Sequence, residues 1–174
     1  ADEYIAKTTE LYDTYRFNDL ISIAFGPHAP YSVSDQPLIK LAALAEELDV
    51  PIHMHLHETA DEIKDSYAKN GCRPIKRLAD LGILSHRFVG IHATQLDDAD
   101  ISTIATAGVN IVHCPESNMK LASGFCRVHE LKNNFINVAL GTDGCASNND
   151  LDMISEMRTA TLLAKVIAND ASAV

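Results

Sequence analysis

Imidazole and carboxylate groups recur at the same place along this 174-residue chain, at the ends of successive apolar runs. Gly-Pro-His28 follows the run Leu20–Phe25. His55, His57 and Glu58 end or follow Val50–His57. His92 closes Phe88–His92, His113 closes Val109–His113, and Asp143 follows Asn137–Gly141 in a Gly-Thr-Asp-Gly turn. Imidazole nitrogen and carboxylate oxygen are ligands of borderline divalent metals, zinc first and ferrous iron second. A catalytic site of that kind keeps a position open for water and lowers its pKa towards neutrality. A neighbouring carboxylate such as Glu58 can then carry the proton to a leaving group.

The eight histidines are not equivalent. His53, His55 and His57 share one strand face, because strand side chains alternate with period 2. All three cannot be ligands. His55 is the expected functional one, His53 a hydrogen-bonded structural histidine, and His57 either pocket wall or surface. His113 could donate to a substrate or to a loop carbonyl, and the structural role is favoured. His86 and His129 are expected at the surface. Ser117, Asn118, Ser147, Asn148 and Asn149 could line a pocket, but building turns is the commoner task of such clusters.

The elements that position these groups follow from the pattern. The five runs are near-continuously apolar, as parallel strands buried on both faces are. Between most of them lies an amphipathic segment of helix length. Ser34 is placed to cap a helix with Leu38, Leu41, Leu44, Ala45 and Leu48 on one stripe. A shorter helix carries Ile75, Leu78 and Ala79 before Gly82, and Asp97 caps a segment running to Ala107. A last helix, 151–168, puts Met153, Ile154, Met157, Ala160, Thr161 and Ala164 on one stripe. Between Cys114 and Asn137 only a short helix near Val128–Lys132 is expected. Strand–helix alternation means an open doubly wound sheet or a (β/α) barrel. The absence of GxGxxG and Walker loops weakens the first. In a barrel, strand C-termini converge on one mouth and would ring a single pocket with these histidines and carboxylates.

Composition narrows the function. With 47% apolar and 22% charged residues the chain is an ordinary globular protein. A net charge of −10 disfavours nucleic acid and acidic membrane surfaces, and suits a small neutral or zwitterionic substrate. No apolar run approaches the roughly 18 residues needed to span a bilayer, and the acidic start is unlike a signal peptide. Cys72, Cys114, Cys126 and Cys145 are scattered without a CxxC pair. They read as thiols of a cytoplasmic protein, not a disulfide framework.

The stretches FGPHAPYSVSD, PIHMHLHETADE, GIHATQL, VHCPESNMKLASGF and LGTDGCASNNDLDM resemble, in order, the motifs of the amidohydrolase superfamily. Within it they most closely resemble the 5′-methylthioadenosine/S-adenosylhomocysteine deaminases, relatives of the triazine chlorohydrolases. The resemblance runs from about Tyr4 to Val174. It implies an α/β fold in which residues 1–174 form one partial TIM-type barrel domain, about the last five strand–helix units. It implies His55 as the metal ligand ending the fifth barrel strand and Glu58 as the acid/base that also contacts the substrate ring. It implies His92 as the histidine holding the reacting water, Asp143 as metal ligand and water partner, and His28 as a substrate-binding histidine. The family's His-x-His ligand pair would lie upstream of Ala1, with the first three strands and a small β-sandwich, and no histidine here replaces it. The implied reaction is metal-dependent hydrolytic deamination of an aminopurine nucleoside, with zinc or else iron. Rivals are dechlorination of a triazine, deamination of guanine, or a non-catalytic half-barrel module. As it stands, the chain is expected to be inactive and to associate through open strand edges.

Overall fold

The computed structural model describes residues 1–174. Its sheet has four parallel strands, β1 (Ile52–Leu56), β2 (Phe88–His92), β3 (Asn110–His113) and β4 (Val138–Leu140), in the spatial order of the sequence. Helices α1 (Asp2–Tyr15) and α2 (Asp35–Leu48) precede β1. Then α3 (Ala60–Asn70) and α4 (Pro74–Asp80) join β1 to β2, and α5 (Asp98–Ala107) joins β2 to β3. Finally, α6 (Pro115–Lys120) and α7 (Val128–Asn133) join β3 to β4, and α8 (Met153–Ala168) follows. A doubly wound sheet reverses its strand order at a switch point, whereas a barrel advances one strand at a time. The unreversed order here is that of a barrel segment, as expected from the sequence.

Strands β1, β2 and β3 each have one covered and one open face. Ile52, Met54, Leu56, Phe88 and Ile111 are buried against Leu38, Leu41, Ile75, Leu78, Ile101, Ile104 and Leu131 from the helices. The alternate positions, His53, His55, Val89, Ile91, Asn110 and Val112, are half-buried or exposed. The expectation of strands buried on both faces is therefore corrected: within these residues only the helical face is covered. Gly90 belongs to that tight face, since a Cβ there would meet Leu56 Cδ2 at 2.8 Å and Ile111 Cδ1 at 3.3 Å.

Three further differences have physical causes. The run Leu20–Phe25 contributes only a bridge, Phe25 with Ile52. Asn18 Oδ1 accepts the N–H groups of Leu20 and Ile21, and Leu20 is 95% exposed, so an Asx turn replaces the start of that strand. The polar helices α3 and α6 were not anticipated, because neither shows an apolar stripe. Thr59 caps α3 by accepting the Glu62 N–H, and Gly71 closes it at φ +71°. On α8, Ala160 and Ala164 are buried but Met153, Ile154 and Met157 are exposed, so only part of the expected stripe packs inward. Asp97 caps α5 as expected, in a reciprocal capping box with Asp100. Ser34 occupies the N-cap position of α2 without a side-chain cap bond. No helix is long and apolar enough to cross a membrane.

Candidate functional site

The C-terminal ends of the strands carry an unusual backbone. His57, His92, Ala93 and Asp143 all have positive φ, at 52°, 78°, 51° and 62°. Non-glycine residues in that region cost on the order of 1–3 kcal/mol each and persist only where their surroundings enforce them. Here these four sit at or just past the C-terminal ends of three of the four strands, β1, β2 and β4.

His55 lies on the open face of β1. Its Nδ1 is 2.6 Å from the backbone carbonyl of His28. A carbonyl only accepts, so Nδ1 carries the proton and Nε2 of the neutral ring is left with a free lone pair. A backbone carbonyl is also the usual orienting partner of a metal-bound imidazole. The ring stacks on His92, with centroids 5.6 Å apart and planes 15° apart, and meets His28 edge-on at 5.0 Å. His28 is exposed, with Nδ1 3.0 Å from Ser32 Oγ and Tyr31 packed edge-on at 5.7 Å.

Glu58 stands just past β1, its Oε2 3.7 Å from His92 Nε2. Its peptide is held at both ends. Glu62 Oε2 accepts the Glu58 N–H at 2.8 Å, and the Thr94 hydroxyl donates to the Glu58 carbonyl at 2.7 Å. His92 is 1% exposed, with Nδ1 2.8 Å from Asn118 Oδ1. Asp143 Oδ2 accepts the hydroxyls of Ser117 at 2.6 Å and Ser147 at 2.7 Å, while Oδ1 accepts the Gly144 N–H at 2.7 Å. Burial alone would raise the Asp143 pKa. The two hydroxyls, the Gly144 N–H and the nearby His92 outweigh it and hold the carboxyl below the usual carboxylate range. His28, His55, His92 and Glu58 thus form one contiguous cluster. Asp143 is tied to it through α6, which carries both Ser117 and Asn118.

The other histidines separate from this cluster. His53 is exposed and makes no side-chain hydrogen bond, contrary to the structural role expected of it. His57 is neither pocket wall nor surface but fully buried: β1 ends at Leu56, and the positive φ swings His57 out of the strand alternation. Its Nε2 accepts the Ile75 N–H at 3.2 Å, and Nδ1 faces Asp100 at 3.4 Å. Burial, with Arg73 nearby, pushes its pKa down to about 3, so it stays neutral. His113 is buried, and its partner is the Asn118 side chain rather than a loop carbonyl. His86 is exposed and His129 half-buried.

Sequence reasoning undervalued Ser117, Asn118 and Ser147, and passed over Glu62 and Thr94. The available signal for Glu62 was the Thr59-x-x-Glu62 capping pattern, and for Ser117 and Asn118 a proline, Pro115, opening a helix directly after a histidine-ended strand. Asn148 does build a turn, accepting the N–H groups of Asp150 and Leu151. No three histidine, cysteine, aspartate or glutamate side chains converge closely enough to hold a metal ion. The donor chemistry fits a borderline divalent ion at two positions, the free Nε2 of His55 and the ionised carboxylate of Asp143.

A one-sided run of parallel βα units with imidazole and carboxylate groups at its strand ends is the architecture of the barrel hydrolases. The chain belongs to the amidohydrolase family, whose family model matches residues 4–174. It is 56% identical over 172 residues to a 5-methylthioadenosine/S-adenosylhomocysteine deaminase of Saccharophagus degradans, covering 99% of this chain and 39% of that one. It superposes with a TM-score of 0.97 on an adenosine deaminase of Xanthomonas campestris with bound zinc, at 55% identity, covering 99% of this chain and 39% of that one. A mutant atrazine chlorohydrolase of Arthrobacter aurescens, in complex with zinc and atraton, superposes at 0.90 with 25% identity, covering 97% and 38%. The chain thus spans about 39% of the length of the curated relative named here.

Proposed function

We propose that these residues supply the acid/base and part of the metal site of a zinc-dependent hydrolase that deaminates aminopurine nucleosides. The substrates would be of the methylthioadenosine and S-adenosylhomocysteine type. The remaining barrel strands would come from polypeptide outside residues 1–174, so that this chain is one partial barrel domain of a larger whole. The observation that carries the reading is the placement of Glu58 Oε2 3.7 Å from His92 Nε2, beside a histidine whose free nitrogen is oriented by a backbone carbonyl on its other ring nitrogen.

His55 and Asp143 would hold the metal, which supplies Lewis-acid activation of the attacking water. His92 and Asp143 orient that water and take up its proton. That proton passes to Glu58, which delivers it to the ring nitrogen next to the amino-bearing carbon and so makes that carbon electrophilic. The water oxygen bonds to that carbon, its remaining proton passes by way of Asp143 to the amino nitrogen, the carbon–nitrogen bond breaks with its electron pair on nitrogen, and ammonia leaves. His28, exposed at the mouth beside His55, contacts the substrate. The four unpaired cysteines fit a reducing, cytoplasmic setting.

The likeness to the chlorohydrolase favours a second reading, displacement of chloride from a triazine by the same groups. Identity of 56% to a deaminase against 25% to the chlorohydrolase weighs against it. The test is release of ammonia by the complete zinc-loaded protein from methylthioadenosine, S-adenosylhomocysteine, 5′-deoxyadenosine and adenosine, beside guanine and a chlorotriazine. Turnover confined to guanine or the triazine overturns the nucleoside assignment. Elemental analysis of the protein as isolated decides zinc against iron.

A further inference from the structure

We propose that Asn118 sets the tautomer of His92, holding its proton on Nδ1 so that Nε2 presents a lone pair on the side facing Glu58. The use made of that lone pair rests on the deaminase reading above, but the tautomer does not. His92 and Asn118 are each 1% exposed, so no bulk water competes for either ring nitrogen. The Asn118 backbone is pinned at both ends: its N–H donates to the Cys114 carbonyl at 2.9 Å, and its carbonyl accepts the Ser123 N–H at 2.9 Å. The side chain is thereby lodged between two histidines, 2.8 Å from His92 Nδ1 through Oδ1 and 3.4 Å from His113 Nδ1 through Nδ2.

An asparagine amide can donate or accept, and its orientation decides which imidazole nitrogen is protonated. With Oδ1 towards His92, Nδ1 must carry the proton and Nε2 is an acceptor. With the amide turned, Nδ2 donates to Nδ1 and the proton moves to Nε2, pointing at a carboxylate. A protonated imidazole nitrogen facing a carboxylate closes to a charge-assisted contact of about 2.7–2.9 Å. The actual separation of Glu58 Oε2 from His92 Nε2 is 3.7 Å, with no hydrogen bond between them. That gap is what two acceptors keep, and it leaves both free to face a third, proton-bearing group. His113 fits the same orientation: burial keeps it neutral, and its Nδ1 lone pair accepts the other end of the amide. Asn118 is a positioning residue. One short helix then serves two functional groups, because the adjacent Ser117 holds Asp143.

The direct test is the ¹⁵N spectrum of histidine side chains in the complete zinc-loaded protein, with His92 identified by the signals lost in His92→Asn. The expected pattern is a neutral ring protonated at Nδ1. A ring protonated at Nε2 overturns the proposal. This measurement needs no turnover, so the expected spectrum with no deaminase activity sinks the functional reading and leaves the tautomer standing.

Two variants test the consequence. Asn118→Leu frees the tautomer and should lower kcat by at least about 10²-fold with KM little changed, since misplacing the proton of a catalytic imidazole is costly. Asn118→Asp keeps an acceptor against Nδ1 and should recover all but about tenfold of kcat. If Asn118→Asp is folded, holds zinc and is as inactive as Asn118→Leu, the amide is acting as a donor and the proposal fails. Should Asn118→Leu not fold, the spectrum of the unsubstituted protein and the activity of Asn118→Asp still decide it.

Discussion

Glu62 reaches back past its own helix cap to hold the peptide of Glu58. Its Oε2 accepts the Glu58 N–H at 2.8 Å and its Oε1 the His57 N–H at 3.2 Å. A glutamate at this position of a helix usually returns to the N-cap N–H in a capping box, but here it clamps the two residues before the cap. Burial raises the Glu62 pKa, and these two N–H groups pull it part of the way back. Removing the carboxylate leaves two backbone donors unpaired where water barely reaches. Glu62→Ala should cost about 2 kcal/mol in urea unfolding. It should also lower kcat of the complete protein about tenfold or more, because Glu58 loses its anchor. Glu62→Gln keeps one acceptor and should fall between. A full kcat in Glu62→Ala would show that Thr94 alone suffices to aim Glu58.

Glu58→Gln in the complete protein should keep its metal and lose about 10²-fold or more of its turnover. Glutamine preserves size and hydrogen bonding but carries no transferable proton. Zinc content by elemental analysis and kcat by ammonia release are the two measurements. Near-normal turnover removes Glu58 from the chemistry.

Asp143→Ala should lower metal content and activity together, because one side chain is proposed as ligand and water partner. Its two serine partners make an intermediate case available. Ser117→Ala and Ser147→Ala each remove one donor to Oδ2, which weakens the orientation of a ligand without removing it. Losses of about 10–100-fold in metal affinity are usual for such outer partners. Full occupancy in an inactive Asp143→Ala would confine this residue to the reaction.

The strand ends were legible in the sequence, and the reason is physical. A parallel strand buried by helices needs an apolar run, and a functional residue at its end stands out as the first polar group after it. Phe88–His92 matches β2 residue for residue. Period 2 misplaced His57, because alternation holds only while the strand lasts and β1 stops one residue earlier. The helices α3 and α6 escaped notice because they are held by caps, prolines and buried polar contacts that leave no apolar period. Asn118 and Glu62 were illegible for a related reason. Asn118 acts by bridging His92 of β2 and His113 of β3, which the register between those strands decides, and Glu62 acts by reaching past its N-cap to the His57 and Glu58 N–H groups, which a capping pattern does not show.

His113 gives the fold an acid sensitivity with a definite sign. Burial, with His92 beside it, pushes its pKa down to about 4 from 6.5. Above pH 6.5 the ring is neutral folded and unfolded, and it contributes no slope. Below that the unfolded chain takes up a proton that the folded chain refuses, so stability falls until the folded ring itself titrates near pH 4. The slope is at most about 1.4 kcal/mol per pH unit for one such group. His113→Gln should make the fall of stability between pH 6.5 and pH 4.5 shallower by up to about 1.4 kcal/mol for each pH unit, as read by urea unfolding at each pH. An unchanged pH dependence would mean the unfolded ring is protected as well.

The last prediction concerns residues 1–174 expressed alone. Only His55 and Asp143 are proposed as metal ligands, and no third ligand-type side chain converges with others on a common site. Catalytic zinc sites use three or more protein ligands, and two rarely fix the ion. The sheet also has open edges: β4 pairs only with β3, and beyond β1 there is a single bridge at Phe25. Unpaired backbone groups of that kind template association between chains. The purified chain should therefore bind zinc weakly, release no ammonia from methylthioadenosine, and elute larger than a monomer as its concentration rises. Calorimetry with zinc, the ammonia assay and size-exclusion chromatography measure the three. Stoichiometric, tight zinc binding with turnover would mean that ligands within these residues, beyond His55 and Asp143, complete the site.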